Sequence, residues 1–201
     1  MASRDDKSDQ FLNSDAIDND FFISIVEKKL KIKRDEFKLR LVLLSPATGK
    51  NENYVAVLYR AKIKIEILAT KERKSVDVII KALLSVMKEL KEFSVFPRER
   101  FVYDNILTSF ENIWHERTGS EIQFGPKIIK SETDPYELLV LDDLKAEGYE
   151  MLNRKVGLNK AQTKVLLTKL AKFHASSTIR YQQVRISWPW IDKINKKYCL
   201  L

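Results

Sequence analysis

Two side chains stand where their neighbours would not put them. Lys81 closes the largely apolar run of "KSVDVIIKAL" (Lys74 to Leu83), and Glu99 lies on the apolar stripe of "VFPRERFVYDNILTSF", three residues after Phe96 and four before Tyr103. Alternation along a strand puts Lys81 on one face with Asp77 and Ile79. A carboxylate on the core-facing side of a helix is costly unless it is paired. Removing one partner of a buried ion pair costs about 3–5 kcal/mol, so such anomalies tend to come in twos. Paired, the carboxylate would fix the ammonium, and the ammonium would meet the oxygens of a phosphate. The plainer reading is a strand-end lysine reaching water and a glutamate at the rim of a helical stripe. Periodicity alone leaves both open.

The elements that must position these two residues are legible in outline. "NDFFISIVEKKLK" repeats apolar residues at Phe22, Ile25, Val26 and Leu30, the spacing of one helical face, with Asn19 placed as its cap. "FKLRLVLLS" reads as a strand with Phe37, Leu39, Leu41 and Leu43 on one side. After the turn residues Pro46 and Gly49, the clearest alternation in the chain follows. Val55, Val57, Tyr59, Ala61, Ile63, Ile65 and Ile67 share one face, and Arg60, Lys62, Lys64 and Glu66 the other, as in a half-exposed antiparallel strand. The run ending at Lys81 is the third strand of a meander. Helices are expected over about 84–91 and 95–115, with Pro97 tolerated in a first turn. "PKIIKSE" and "YELLVLDDL" read as two short strands, and "NKAQTKVLLTKLAKFHASS" as a strong helix capped by Asn159. A strand lysine and a helix glutamate behind a β-meander is the arrangement by which a kinase-type amino-terminal lobe holds nucleotide phosphates.

Composition bounds the rest. The 201 residues suffice for one full domain, and at that length roughly 70% of the unfolded surface can be buried without disulfides or metals. The single cysteine, Cys199, permits no internal disulfide and suits a reducing compartment. "MASRDDKSDQ" offers no apolar stretch for a signal peptide, and no run approaches a membrane span, so a cytosolic location is expected. The net charge of +8 invites an anionic partner, but 36 basic residues are interspersed with 28 acidic ones and form no basic tract. That pattern speaks against nucleic-acid binding, which wants clustered Lys and Arg with aromatics.

Five strings carry a resemblance: "NENYVAVLYR", "VIIKAL", "FPRERFVYDNIL", "LLVLDDLKAEGYEMLNRKVGL" and "LTKLAKFHASS". In this order, over about residues 20–180, the chain resembles the ecdysteroid-kinase-like (CHK-kinase-like) proteins of insects, relatives of choline kinases and aminoglycoside phosphotransferases. The resemblance implies an α+β fold: a protein-kinase-like small lobe, an antiparallel sheet with packed helices, then a hinge and the first helix of a truncated large lobe. It divides the chain into a flexible start (1–19), the lobe (20–144), hinge and first large-lobe helix (145–182) and a divergent tail (183–201). It implies ATP as cofactor, Lys81 as the phosphate-contacting lysine and Glu99 as its partner. The backbone near Asp142, Asp143 and Leu144 would hydrogen-bond the adenine, and Asn53 belongs to the tip of the nucleotide-covering hairpin. Asn51 replaces the family's usual glycine and Ala56 its usual serine; a side chain at 51 limits close backbone approach, and Ala56 has no hydroxyl. His174 also matches a family position, although a histidine packed on an apolar helical face is its plainer reading.

The same resemblance implies groups that these residues do not supply. Family members are about twice as long and carry, in their second half, a histidine-glycine-aspartate loop, a downstream asparagine and a magnesium-binding aspartate. Neither His115 nor His174 is followed by Gly-Asp, and the sole acidic residue after His174 is Asp192. Magnesium is expected for the family, but its ligands are not among these residues. Two readings follow. One is an ATP-dependent kinase acting on a hydroxyl of an ecdysteroid-like or xenobiotic small molecule, here a truncated chain retaining the nucleotide lobe. The other is a non-catalytic nucleotide-binding or pseudokinase fragment acting through protein contacts. In either, the helix of 159–177 would expose Val165, Leu166, Leu170 and Phe173 unless Trp188 and Trp190 cover them.

Overall fold

A computed structural model describes residues 17–48, 56–83, 95–133, 137–153 and 155–184. Residues 1–16 of the expected loose start, the helix over 84–91, the hairpin tip with Asn51 and Asn53, and the tail tryptophans lie outside these residues. Two compact units are resolved, the first of Met1–Asp104 with Gly125–Met151, the second of Asn105–Phe124 with Leu152–Leu201.

The first unit begins with helix α1 (Asn19–Leu30). Its cap is Asp18 rather than Asn19: Asp18 is still extended, and its Oδ1 accepts the Phe21 N–H at 2.7 Å. A 3₁₀ turn at Arg34–Glu36 leads to strands β1 (Phe37–Pro46), β2 (Ala56–Ile67) and β3 (Arg73–Leu83), and β4 (Ile128–Glu132) and β5 (Leu138–Asp142) complete the sheet. All neighbours are antiparallel, in the order β1-β2-β3-β5-β4. Phe21, Phe22, Ile25 and Val26 of α1 are buried against one face of this sheet, formed chiefly by Ala61, Ile63, Val78, Ile80 and Val140. β2 and β3 alternate as their sequences require. β1 does not: its register slips between Leu39 and Leu41, so that Val42, not Leu41 or Leu43, packs on the core. Leu41 and Leu43 are consequently 44% and 47% exposed. A bulge inserts one extra residue and flips everything beyond it to the opposite face. β4 has a similar slip between Ile128 and Lys130.

The helix expected over 95–115 is three segments: α2 (Val95–Phe101), a π stretch (Val102–Leu107) and α3 (Thr108–Thr118). The π stretch breaks the 3.6-residue count between Phe96 and Phe110. Gly119, at φ 67°, ends α3 by donating its N–H to the His115 carbonyl.

In the second unit, α4 (Lys160–Val184) runs seven residues past the expected end at 177. It starts in a reciprocal cap: Asn159 Oδ1 accepts from the Gln162 N–H at 2.9 Å, and Gln162 Oε1 from the Asn159 N–H at 3.0 Å. Phe173 packs edge-on against Phe110 and Phe124, with centroids 4.9 and 5.5 Å away. Val165, Leu166 and Leu170 are exposed, as the sequence predicts; Phe173 is not part of that exposed stripe. His174 is exposed rather than packed, because the buried side of α4 at this level runs through Phe173 and Ser176. Among the described residues no helix is long and apolar enough to cross a membrane.

Candidate functional site

The site grows from the second face of the sheet. Because Val76, Val78, Ile80 and Ala82 of β3 point into the core, Asp77, Ile79 and Lys81 must point the other way. The strand register places Lys81 between Leu58 on β2 and Leu139 on β5. Leu139 and Leu141, with Ala56, form a small second core closed by Phe96 of α2 and flanked by Leu58, Ile79 and Tyr103. Phe96 brings the first turns of α2 onto this face, and Glu99 with them.

Lys81 Nζ then meets both Glu99 oxygens, Oε1 at 2.8 Å and Oε2 at 2.6 Å. It also lies 5.5 Å from the Phe96 ring centroid. Neither charge is sealed: the side chains keep 23% and 21% of their exposure. The pair is therefore held on an apolar bed with its outer side open to solvent, so the ammonium retains a direction in which to meet an anion. Tyr103 stands on the same stripe, its hydroxyl pKa raised first by burial and then by the Glu99 charge.

A cleft of about 760 Å³ opens on the same sheet face. Its floor is Leu58, Ile79 and Leu141; Ile79 precedes Lys81 by two residues, about 7 Å along an extended strand. Asp142, Asp143 and Leu144, where β5 ends, form one wall, and Arg60 and Tyr149 also line it. The two aspartates point in opposite directions. Asp142 Oδ1 accepts from Lys29 Nζ of α1 at 2.8 Å, on the core side of the sheet. Asp143, only 3% exposed, is held on the cleft side by Arg60, whose Nε and Nη2 reach its two oxygens at 2.5 and 3.3 Å. A flat apolar floor and a backbone wall, with a tethered ammonium on the same sheet face two residues along β3 from Ile79, suit a ligand with a planar ring and an anionic tail.

Of the residues expected from sequence, Lys81 and Glu99 meet each other, and Asp142, Asp143 and Leu144 line the cleft at the end of the neighbouring strand, β5. Asn53 lies outside the described residues. Leu58, Ile79, Arg60 and Tyr149 were not expected there. A signal for the first two was present: both are apolar residues on the face that otherwise reads polar. Among the described residues no group of three His, Cys, Asp or Glu comes together in a way that would hold a metal ion.

Residues 50–188 match the family model described as Ecdysteroid kinase-like family. No curated protein and no solved structure matches the chain.

Proposed function

Because the chain belongs to the Ecdysteroid kinase-like family, a kinase-like phosphotransferase lineage, we propose that its first unit holds ATP. Adenine would lie on Leu58, Ile79 and Leu141, with the backbone of Asp142, Asp143 and Leu144 along its edge. The phosphates would run to Lys81, kept in place by Glu99, with Asn53 as a further contact. The observation that carries this reading is the Lys81–Glu99 pair opening onto the same sheet face as the cleft.

ATP would supply the phosphoryl group, and the acceptor is a hydroxyl of an ecdysteroid-like or xenobiotic small molecule. The setting we propose is the cytosol of an insect cell, in keeping with a single cysteine. These residues bind and orient the nucleotide; phosphoryl transfer further needs a carboxylate for the acceptor hydroxyl and groups that hold magnesium.

ATP-induced thermal stabilisation of the purified chain tests the assignment. Lys81→Ala should abolish the phosphate-dependent part, leaving ATP no better than adenosine. Equal stabilisation of the Lys81→Ala and unaltered chains by ATP would refute it.

A further inference from the structure

We propose that Arg60 is a positioning residue for base recognition: by gripping Asp143 it sets the backbone strip at Leu144 that faces the base. The inference rests on the nucleotide reading above and names what orients the base end of that site.

Arg60 faces the cleft, between Ser45 and Ile79 in the strand register. Its Nε and Nη2 bind the two Asp143 oxygens, a fork that restrains the carboxylate in position and in rotation. Asp143 Oδ1 in turn accepts the Lys145 N–H at 3.1 Å. That bond starts a tight turn. The Asp143 carbonyl accepts from Ala146, and the Leu144 carbonyl accepts from both Glu147 and Tyr149, at 3.0 to 3.1 Å. The Asp142 N–H is committed to the Lys127 carbonyl at 3.0 Å. The Leu144 N–H makes no backbone bond of this kind among the described residues, and Leu144 lines the cleft. The Leu144 N–H is thus a donor left over at the base end, and the chain of contacts that fixes its direction begins at Arg60. A buried carboxylate with a two-pronged cation is more than a turn needs, since Asn or Ser would satisfy the Lys145 N–H equally.

The test separates the two ends of the ligand by using adenosine, which lacks phosphates, and inorganic tripolyphosphate, which lacks a base. In the full chain, Arg60→Met should weaken adenosine about tenfold or more while tripolyphosphate changes less than about twofold. Arg60→Met leaves Asp143 without its cation and risks the fold, so Arg60→Lys accompanies it. Lysine keeps the charge but loses the fork, and should weaken adenosine alone, by severalfold. Equal losses of both probes in Arg60→Lys, or no loss of adenosine in either variant, would overturn the role of Arg60. Failure of the unaltered chain to bind either probe would overturn the nucleotide reading and this inference together. Binding of tripolyphosphate without adenosine would overturn the base-end assignment alone.

Discussion

The two faces of one sheet divide the labour of this lobe. On the α1 side, Ala61, Ile63, Val78, Ile80 and Val140 are almost wholly buried and apolar, and among the described residues the charged contacts Lys29–Asp142 and Lys130–Glu132 sit at its margin. On the other side apolar residues share the surface with charges, several of them paired: Lys81 with Glu99, Arg60 with Asp143, Lys62 with Asp77. The first face is explained entirely by folding. The second carries charges that folding does not require, because hydrophobic residues of similar volume would often do as well or better for stability. The Lys81–Glu99 pair, partly buried and open to solvent on the sheet face that carries the cleft, is the one we propose a ligand completes.

The contrast is breakable by mutation, and the largest effect belongs to the core face. Ile80→Ala, at 1% exposure, should cost about 2–5 kcal/mol in urea unfolding, and loss of ATP binding should only follow loss of the fold. Next comes Ile79→Ala, one residue away on the cleft face. It should lose less stability, about 1–2 kcal/mol, yet weaken adenosine directly in the folded protein; a larger stability loss than Ile80→Ala would erase the distinction between faces. Glu99→Gln follows, expected to lower ATP affinity severalfold by loosening Lys81, with a melting temperature close to that of the unaltered chain.

Two pH effects are smaller. The raised Tyr103 pKa means that the folded chain holds this proton more tightly than the unfolded chain. Its contribution is complete below the ordinary tyrosine pKa, about 10, and is lost as pH climbs through the raised value. The alkaline fall in stability should shrink in Tyr103→Phe, and an identical pH profile would count against the burial of Tyr103 beside Glu99. Smallest is Glu66, whose carboxyl is held low, first by its hydrogen bond from Arg40. Its contribution is present above the ordinary carboxylate pKa and disappears as pH falls through the lowered one. Glu66→Gln should flatten that acidic limb slightly.

How much could be read from sequence follows the same division. The core face was legible because burial imposes strict alternation, as from Tyr59 to Ile67. Lys81 and Glu99 were legible because each broke a pattern. Arg60 was not, because a charged residue on a face expected to be exposed raises no alarm; only the fold brings Asp143, 83 residues later, against it. The flip of Leu41 and Leu43 was hidden for a related reason. "LRLVLL" is apolar at nearly every position, so either register satisfies the pattern, and the extra residue at Arg40 decides. The π stretch at Val102–Leu107 escaped because one added residue per turn leaves no mark in composition.

Both register slips fall on the outermost strands, β1 and β4, among the described residues. A strand at the rim of a sheet offers unpaired amides and carbonyls to any passing chain, and β1 adds solvent-facing leucines to the invitation. A kink in that rim spoils the straight template on which a second molecule would have to align. The irregularity that defeated the simple reading of "FKLRLVLLS" thus also guards the lobe against self-association into extended sheets. Straightening it, by deleting Arg40, should trade a tidier strand for a stickier protein.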